Sequence, residues 1–122
     1  MARILLAEDD PGLRRVLVRA LDAAGHSVRA AGDGLEALRQ LHEEAVDLLL
    51  ADIVMPGLDG MELARRAGGL HPGLRIMFIT GFAAVVLRDG RMEQAPAGAR
   101  LLSKPFHLRD LVREVDALLE VA

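Results

Sequence analysis

Short apolar runs alternate with segments of helical period along this chain, and that alternation limits the fold more than any other feature. Ile4-Leu5-Leu6-Ala7 is a continuous apolar run, as expected of a strand buried on both faces. Leu13, Val16, Leu17, Ala20, Leu21 and Ala24 then follow i, i+3, i+4 spacing, so they form one apolar stripe on a helix. Asp10-Pro11 supplies its N-cap and first-turn proline, and Gly25 its stop. Ser27-Val28-Arg29-Ala30 reads as a weak strand, 34–44 as a helix, and 46–51 as a third strand ending at Asp52. Pro56-Gly57 marks a turn, and Asp59 caps a helix over 60–67 before the Gly68-Gly69 and Pro72-Gly73 loop. A fourth strand over 74–79 ends at Thr80, and a short helix over 81–87 and an irregular stretch over 90–98 follow. A fifth strand over 99–102 ends before Lys104-Pro105, and Leu108, Leu111, Val112, Val115, Leu118 and Leu119 line the last helix. Strands alternating with helices in this way predict an α/β fold: a parallel sheet covered on both faces, joined by right-handed crossovers.

Composition narrows the function. The 122 residues suit one domain, with no linker, repeat or low-complexity tract to mark a second. The net charge of −3 and a pI near 5.8 disfavour a nucleic-acid partner. The only aromatics, Phe78, Phe82 and Phe106, are too few for a base-stacking platform. No cysteine is present, which removes disulfides, thiol chemistry and Cys-ligated zinc. No apolar run approaches the ~18 residues of a membrane span, and the start lacks a signal peptide's layout, so the expectation is a cytoplasmic protein without a membrane partner. Lys104 is the sole lysine beside 14 arginines, and Thr80 is the sole threonine. Arginine is a planar fork and lysine a compact point charge, so a lysine that survives such a bias is a candidate site residue.

In parallel sheets of this kind, ligands bind outside the carboxyl ends of the strands. Strand one is followed there by Glu8-Asp9-Asp10, strand three by Asp52, strand four by Thr80 and strand five by Lys104-Pro105. Singly, each has a plain structural explanation: Asp10 and Asp59 as helix caps, the others as solvated or strand-end polar residues. Jointly they bring carboxylates, a hydroxyl and an ammonium to one cleft. Converging carboxylates repel and favour a cation, and an all-oxygen set suits a hard ion, Mg²⁺ in a cell. His26, His42, His71 and His107 lack zinc spacing and read as ordinary surface residues. A metal, a lysine and a hydroxyl together can hold a phosphoryl group, and a carboxylate can be its nucleophilic acceptor. Asp52, at the end of the central strand and before a tight turn, is the chosen acceptor.

Glu8-Asp9, Asp52-Ile53-Val54-Met55-Pro56-Gly57 with Asp59-Gly60, Thr80-Gly81 and Lys104-Pro105-Phe106 resemble, in order and across the whole chain, the receiver domain of bacterial response regulators. That resemblance implies a flavodoxin-like, doubly wound (βα)5 fold with strand order 2-1-3-4-5. It implies that Asp52 is the phosphoacceptor and that Asp9, Asp52 and the Val54 carbonyl hold Mg²⁺, with Glu8 acting through water. Thr80 would contact a phosphoryl oxygen, Lys104 would pair with it, and the bond from Lys104 to Pro105 would be cis. The donor would be a phosphohistidine on a histidine kinase or phosphotransfer protein. The wording around Asp52 and Phe78-Ile79-Thr80-Gly81-Phe82-Ala83-Ala84 is similar to that of single-domain cell-cycle regulators acting through an ATP-dependent protease. With no output domain expected after residue 122, the output would be binding by this domain's own surface. Two positions depart from the usual pattern. Leu101 stands where most receivers carry the aromatic coupled to the threonine, with Phe82 as another candidate aromatic, and His107 stands where a better N-cap is common.

Other functions fit less well. A haloacid-dehalogenase-like phosphatase needs a second acid two residues after its nucleophile, and that position is Val54. A nucleotide or flavin protein on the same fold would carry a glycine-rich phosphate loop after a strand, and none is present. A pseudo-receiver that binds partners without phosphorylation has no need of the intact acids and Lys104. The expectation is therefore a signalling domain that accelerates only its own phosphorylation and dephosphorylation.

Overall fold

The computed structural model describes residues 1–120 and has the alternating order read from the sequence. The strands are β1 (Arg3–Ala7), β2 (Ser27–Ala31), β3 (Leu48–Asp52), β4 (Arg75–Thr80) and β5 (Arg100–Ser103). The helices are α1 (Pro11–Ala23), α2 (Gly34–Glu43), α3 (Gly60–Leu70), α4 (Ala83–Arg88) and α5 (Leu108–Glu120), with a 3-10 turn at Arg91–Gln94. All strand pairs are parallel and the order is β2-β1-β3-β4-β5, the doubly wound flavodoxin-like arrangement.

Two cores lie on opposite faces of the sheet, and the period of two along each strand divides residues between them. Leu5, Ala7, Leu49, Ala51, Ile76 and Phe78 face Ala37 and Leu41 of α2 and Leu63, Ala64 and Ala67 of α3. Ile4, Leu6, Leu48, Leu50, Met77 and Ile79 face Leu17 and Leu21 of α1 and Leu111, Val115 and Leu118 of α5. Every residue of β3 is buried, which explains its unbroken apolar run.

The helix starts follow the sequence signals. Asp10 accepts hydrogen bonds from the backbone N–H groups of Gly12 and Leu13 at 2.9 and 3.2 Å, and Asp59 accepts one from Glu62 at 2.9 Å. After α1, Gly25 takes φ +94°, where a side chain would be strained. Lys104-Pro105 is a cis peptide.

Some expectations need correction. β3 begins at Leu48 and not at 46, and α4 begins at Ala83 and not at 81. α3 continues through Gly68 and Gly69 to Leu70. A Cβ at Gly68 would sit 3.2 Å from Pro96 Cγ, so the bare backbone there accommodates the chain crossing over α3. Nor are His26 and His71 ordinary surface residues. The His26 side chain is nearly buried, with Nε2 2.8 Å from Asp116 Oδ1 and Nδ1 3.2 Å from the Ala2 backbone nitrogen. The His71 Nε2 is 2.7 Å from the carbonyl of Leu41. Among the described residues no helix is long and apolar enough to cross a membrane.

Candidate functional site

Parallel register brings the strand ends together. Ala7 pairs with Ala51, Asp52 with Ile79, and Thr80 with Ser103, so the residues after β1, β3, β4 and β5 emerge along one edge. Glu8 follows β1 directly, and its N–H donates to the Ala31 carbonyl of neighbouring β2 at 3.1 Å. Its carboxylate is fully buried, which carboxylates tolerate only with partners. The partners are the Asp10 N–H on Oε2 at 3.2 Å and the Lys104 ammonium on Oε1 at 3.1 Å.

Asp52 ends β3 and is 5% exposed. Its Oδ1 accepts from the Val54 N–H at 3.1 Å and its Oδ2 from Lys104 Nζ at 2.8 Å. Lys104 therefore bridges two carboxylates from two strands, and its backbone N–H donates to the Thr80 carbonyl at 2.8 Å. Asp9 is exposed beside them, and one carboxylate oxygen from each of Glu8, Asp9 and Asp52 lies within 4.8 Å of the others. An all-carboxylate set at that spacing fits a hard divalent cation such as Mg²⁺. Thr80 is fully buried at the end of β4, and its Oγ1 accepts from the Phe82 N–H at 3.0 Å. It stands beside the acid cluster through the strand ends and makes no hydrogen bond to the carboxylates among the described residues.

The electrostatics follow from this burial. Desolvation pushes the Glu8 carboxyl up from an ordinary 4.5 to about 7, and the Asp52 charge pushes the same way, against the Asp10 and Lys104 hydrogen bonds. Burial pulls Lys104 down, but its hydrogen bonds to Asp52 and Glu8 outweigh that and raise it above the ordinary lysine value. Lys104 is thus a fixed positive charge at neutral pH.

Of the residues expected at the site, Glu8, Asp9, Asp52 and Lys104 form one contiguous cluster, Val54 touches it through its N–H, and Thr80 flanks it. Val54 and Phe82 present exposed apolar side chains at the mouth, 50% and 58% exposed. Leu101 is half-buried against the α2/α3 core, and the exposed aromatic next to Thr80 is Phe82. Arg14 is not singled out by the sequence, and Gly60 appears there only as part of the Asp59-Gly60 motif. A Cβ at Gly60 would run into the Asp52 carbonyl oxygen, so only glycine lets α3 start this close behind the acid. Arg14 Nη1 donates to the Glu8 carbonyl at 2.8 Å, and the only signal for it is an arginine one turn after the Asp10 cap.

A parallel sheet of this order thus carries acids, a threonine and a lysine at its carboxyl edge, where open α/β sheets bind ligands. The chain belongs to the response regulator receiver domain family of two-component systems, whose pattern matches residues 4–116. Over 122 residues, the full length of both chains, it is 57% identical to the response regulator receiver protein CpdR of Brucella abortus (strain 2308). It is 37% identical over 123 residues to the sensor kinase CckA of the same organism, where it spans 98% of this chain and 13% of that protein. The crystal structure of the receiver domain from the hybrid histidine kinase CckA superposes with a TM-score of 0.82 at 35% identity, covering 97% of this chain and 99% of that one. A CheY-like receiver domain protein from Methanospirillum hungatei JF-1 gives a TM-score of 0.89 at 28% identity, covering 98% and 94%.

Proposed function

We propose that this chain is a phosphorylation-controlled binding switch, with Asp52 as the phosphoacceptor. The observation that carries the reading is the double contact of Lys104 with Glu8 and Asp52, at 3.1 and 2.8 Å, beside exposed Asp9. A lysine placed there holds the acceptor carboxylate at the open end of the sheet and supplies a cation for incoming phosphoryl oxygens. In the transfer step an Asp52 carboxylate oxygen bonds to the phosphorus of a phosphohistidine as the N–P bond breaks. The bonding pair leaves with the imidazole nitrogen, which is a good leaving group once protonated. Thr80 is the hydroxyl available to a phosphoryl oxygen. Asp9, Asp52 and the Val54 carbonyl would hold Mg²⁺, with Glu8 acting through water, and the ion supplies neutralisation of phosphoryl charge.

The donor in this reading is a histidine kinase or histidine phosphotransfer protein, and the similarity to the CckA receiver supports a relay of that kind. The whole-length similarity to CpdR supports a single-domain receiver with a cell-cycle role; in this reading it acts in the cytoplasm, and its protein targets include an ATP-dependent protease. Binding by the domain's own surface is the output, and its catalysis is confined to its own phosphorylation and dephosphorylation. The test is incubation with acetyl phosphate or a phosphohistidine donor, read by intact mass. One base-labile phosphate is expected with Mg²⁺. Equal labelling in excess EDTA, or undiminished labelling of Asp52→Ala, overturns the reading.

A further inference from the structure

We propose that Arg14 is a positioning residue for the divalent-cation site and acts by fixing the peptide between Glu8 and Asp9. The inference rests on the reading of Glu8, Asp9 and Asp52 as the acids of the cation site, Asp9 and Asp52 directly and Glu8 through water. Of these three acids Asp9 is the least restrained. It is exposed, and no hydrogen bond or ion pair to another described residue holds its carboxylate. Its direction is therefore inherited from its backbone. That backbone is pinned on the Glu8 side by the Glu8 N–H to the Ala31 carbonyl at 3.1 Å, and at the shared peptide by Arg14 Nη1 on the Glu8 carbonyl at 2.8 Å. A charge-assisted bond from a planar guanidinium fixes the orientation of that carbonyl as well as its distance.

Arg14 is itself held in place. It is half-buried, and its guanidinium lies along the bare backbone of Gly32, where a Cβ would stand 3.4 Å from Nη1 and 3.9 Å from Cζ. The Gly32 N–H is tied to Glu36 Oε2 at 3.1 Å, which steadies the surface against which the guanidinium rests. α1, the β1–α1 turn and the β2–α2 turn therefore converge on one carbonyl next to Asp9.

Charge and position predict opposite signs. As a cation near three carboxylates, Arg14 repels a divalent ion, so its charge alone would make Arg14→Met bind Mg²⁺ more tightly. As a positioning residue, its loss frees the Glu8–Asp9 peptide and weakens binding. Partners that orient metal ligands are typically worth 10- to 100-fold in affinity.

The experiment is a titration of the full chain with MgCl₂ alone at fixed ionic strength, followed by backbone amide shifts, with urea unfolding in EDTA alongside. Arg14→Met is expected to raise the Mg²⁺ dissociation constant ~10-fold. Arg14→Lys should recover part of that loss. Gly32→Val keeps the arginine but crowds its guanidinium, and it should weaken Mg²⁺ in the same direction even if Arg14→Met does not fold. Unchanged or tighter Mg²⁺ binding in Arg14→Met, or in Gly32→Val where the former does not fold, overturns the proposal. A wild-type chain that binds no Mg²⁺, or an Asp9→Asn variant that binds it undiminished, overturns the cation site itself and the proposal with it.

Discussion

Glu8 makes the metal-free protein less stable as pH rises through the acidic range. Its carboxyl is pushed from 4.5 to about 7, first by burial and then by the Asp52 charge. Between those values the folded chain holds a proton that the unfolded chain has released. Unfolding then liberates a proton, so raising the pH favours it. The stabilisation is fully present below 4.5 and is lost as pH climbs through about 7. At ~1.4 kcal/mol per pH unit across that window, the loss amounts to ~3 kcal/mol, a large share of the ~5–15 kcal/mol that holds an ordinary domain folded. The assay is urea unfolding in EDTA from pH 4.5 to 8, on wild type and on Glu8→Gln, with one curve subtracted from the other so that the remaining titrating groups cancel. Wild type should lose stability relative to the variant by that amount across the window. Saturating Mg²⁺ should move the loss to lower pH, because ligand carboxylates must be deprotonated to bind. A difference curve that is flat, or that rises with pH, would refute the reasoning.

Three further outcomes are expected. Lys104→Arg should fold normally yet lose most of its phosphorylation-dependent partner response, because a forked guanidinium cannot sit between Glu8 and Asp52 as the compact ammonium does; circular dichroism and a binding assay with and without phosphate check this. Gly60→Ala should cost ~1–3 kcal/mol in urea unfolding, since its new Cβ meets the Asp52 carbonyl and not a yielding side-chain tip. The aspartyl phosphate should be long-lived, because exposed Val54 and Phe82 offer no hydrogen bond to an attacking water; Val54→Asn with Phe82→Glu should hydrolyse faster, by up to ~10²-fold in phosphate release, and equal rates would count against this.

Local signals proved legible and distant ones did not. Asp10 and Asp59 read as caps because a cap is a contact within three residues. The strand ends could be aligned because a parallel sheet puts them all on one edge, so Glu8, Asp52, Thr80 and Lys104 could be gathered without coordinates. The histidines were not legible, since His26 finds Asp116 across 90 residues and His71 finds Leu41 across 30. Gly68 reads locally as a helix breaker, yet its lack of a side chain is what accommodates Pro96, so packing overrides propensity there. Arg14 carries no motif; its role rests on a carbonyl brought within reach by the turn between β1 and α1.

The most direct test of the central claim is to locate the phosphate. The chain is labelled from a phosphohistidine donor in Mg²⁺, reduced with borohydride to convert any aspartyl phosphate to homoserine, and sequenced by tandem mass spectrometry. The converted residue should be Asp52, with Glu8, Asp9 and Asp59 untouched. Conversion at another acid, or a stable phosphate on Thr80 or on a serine, would contradict the central claim.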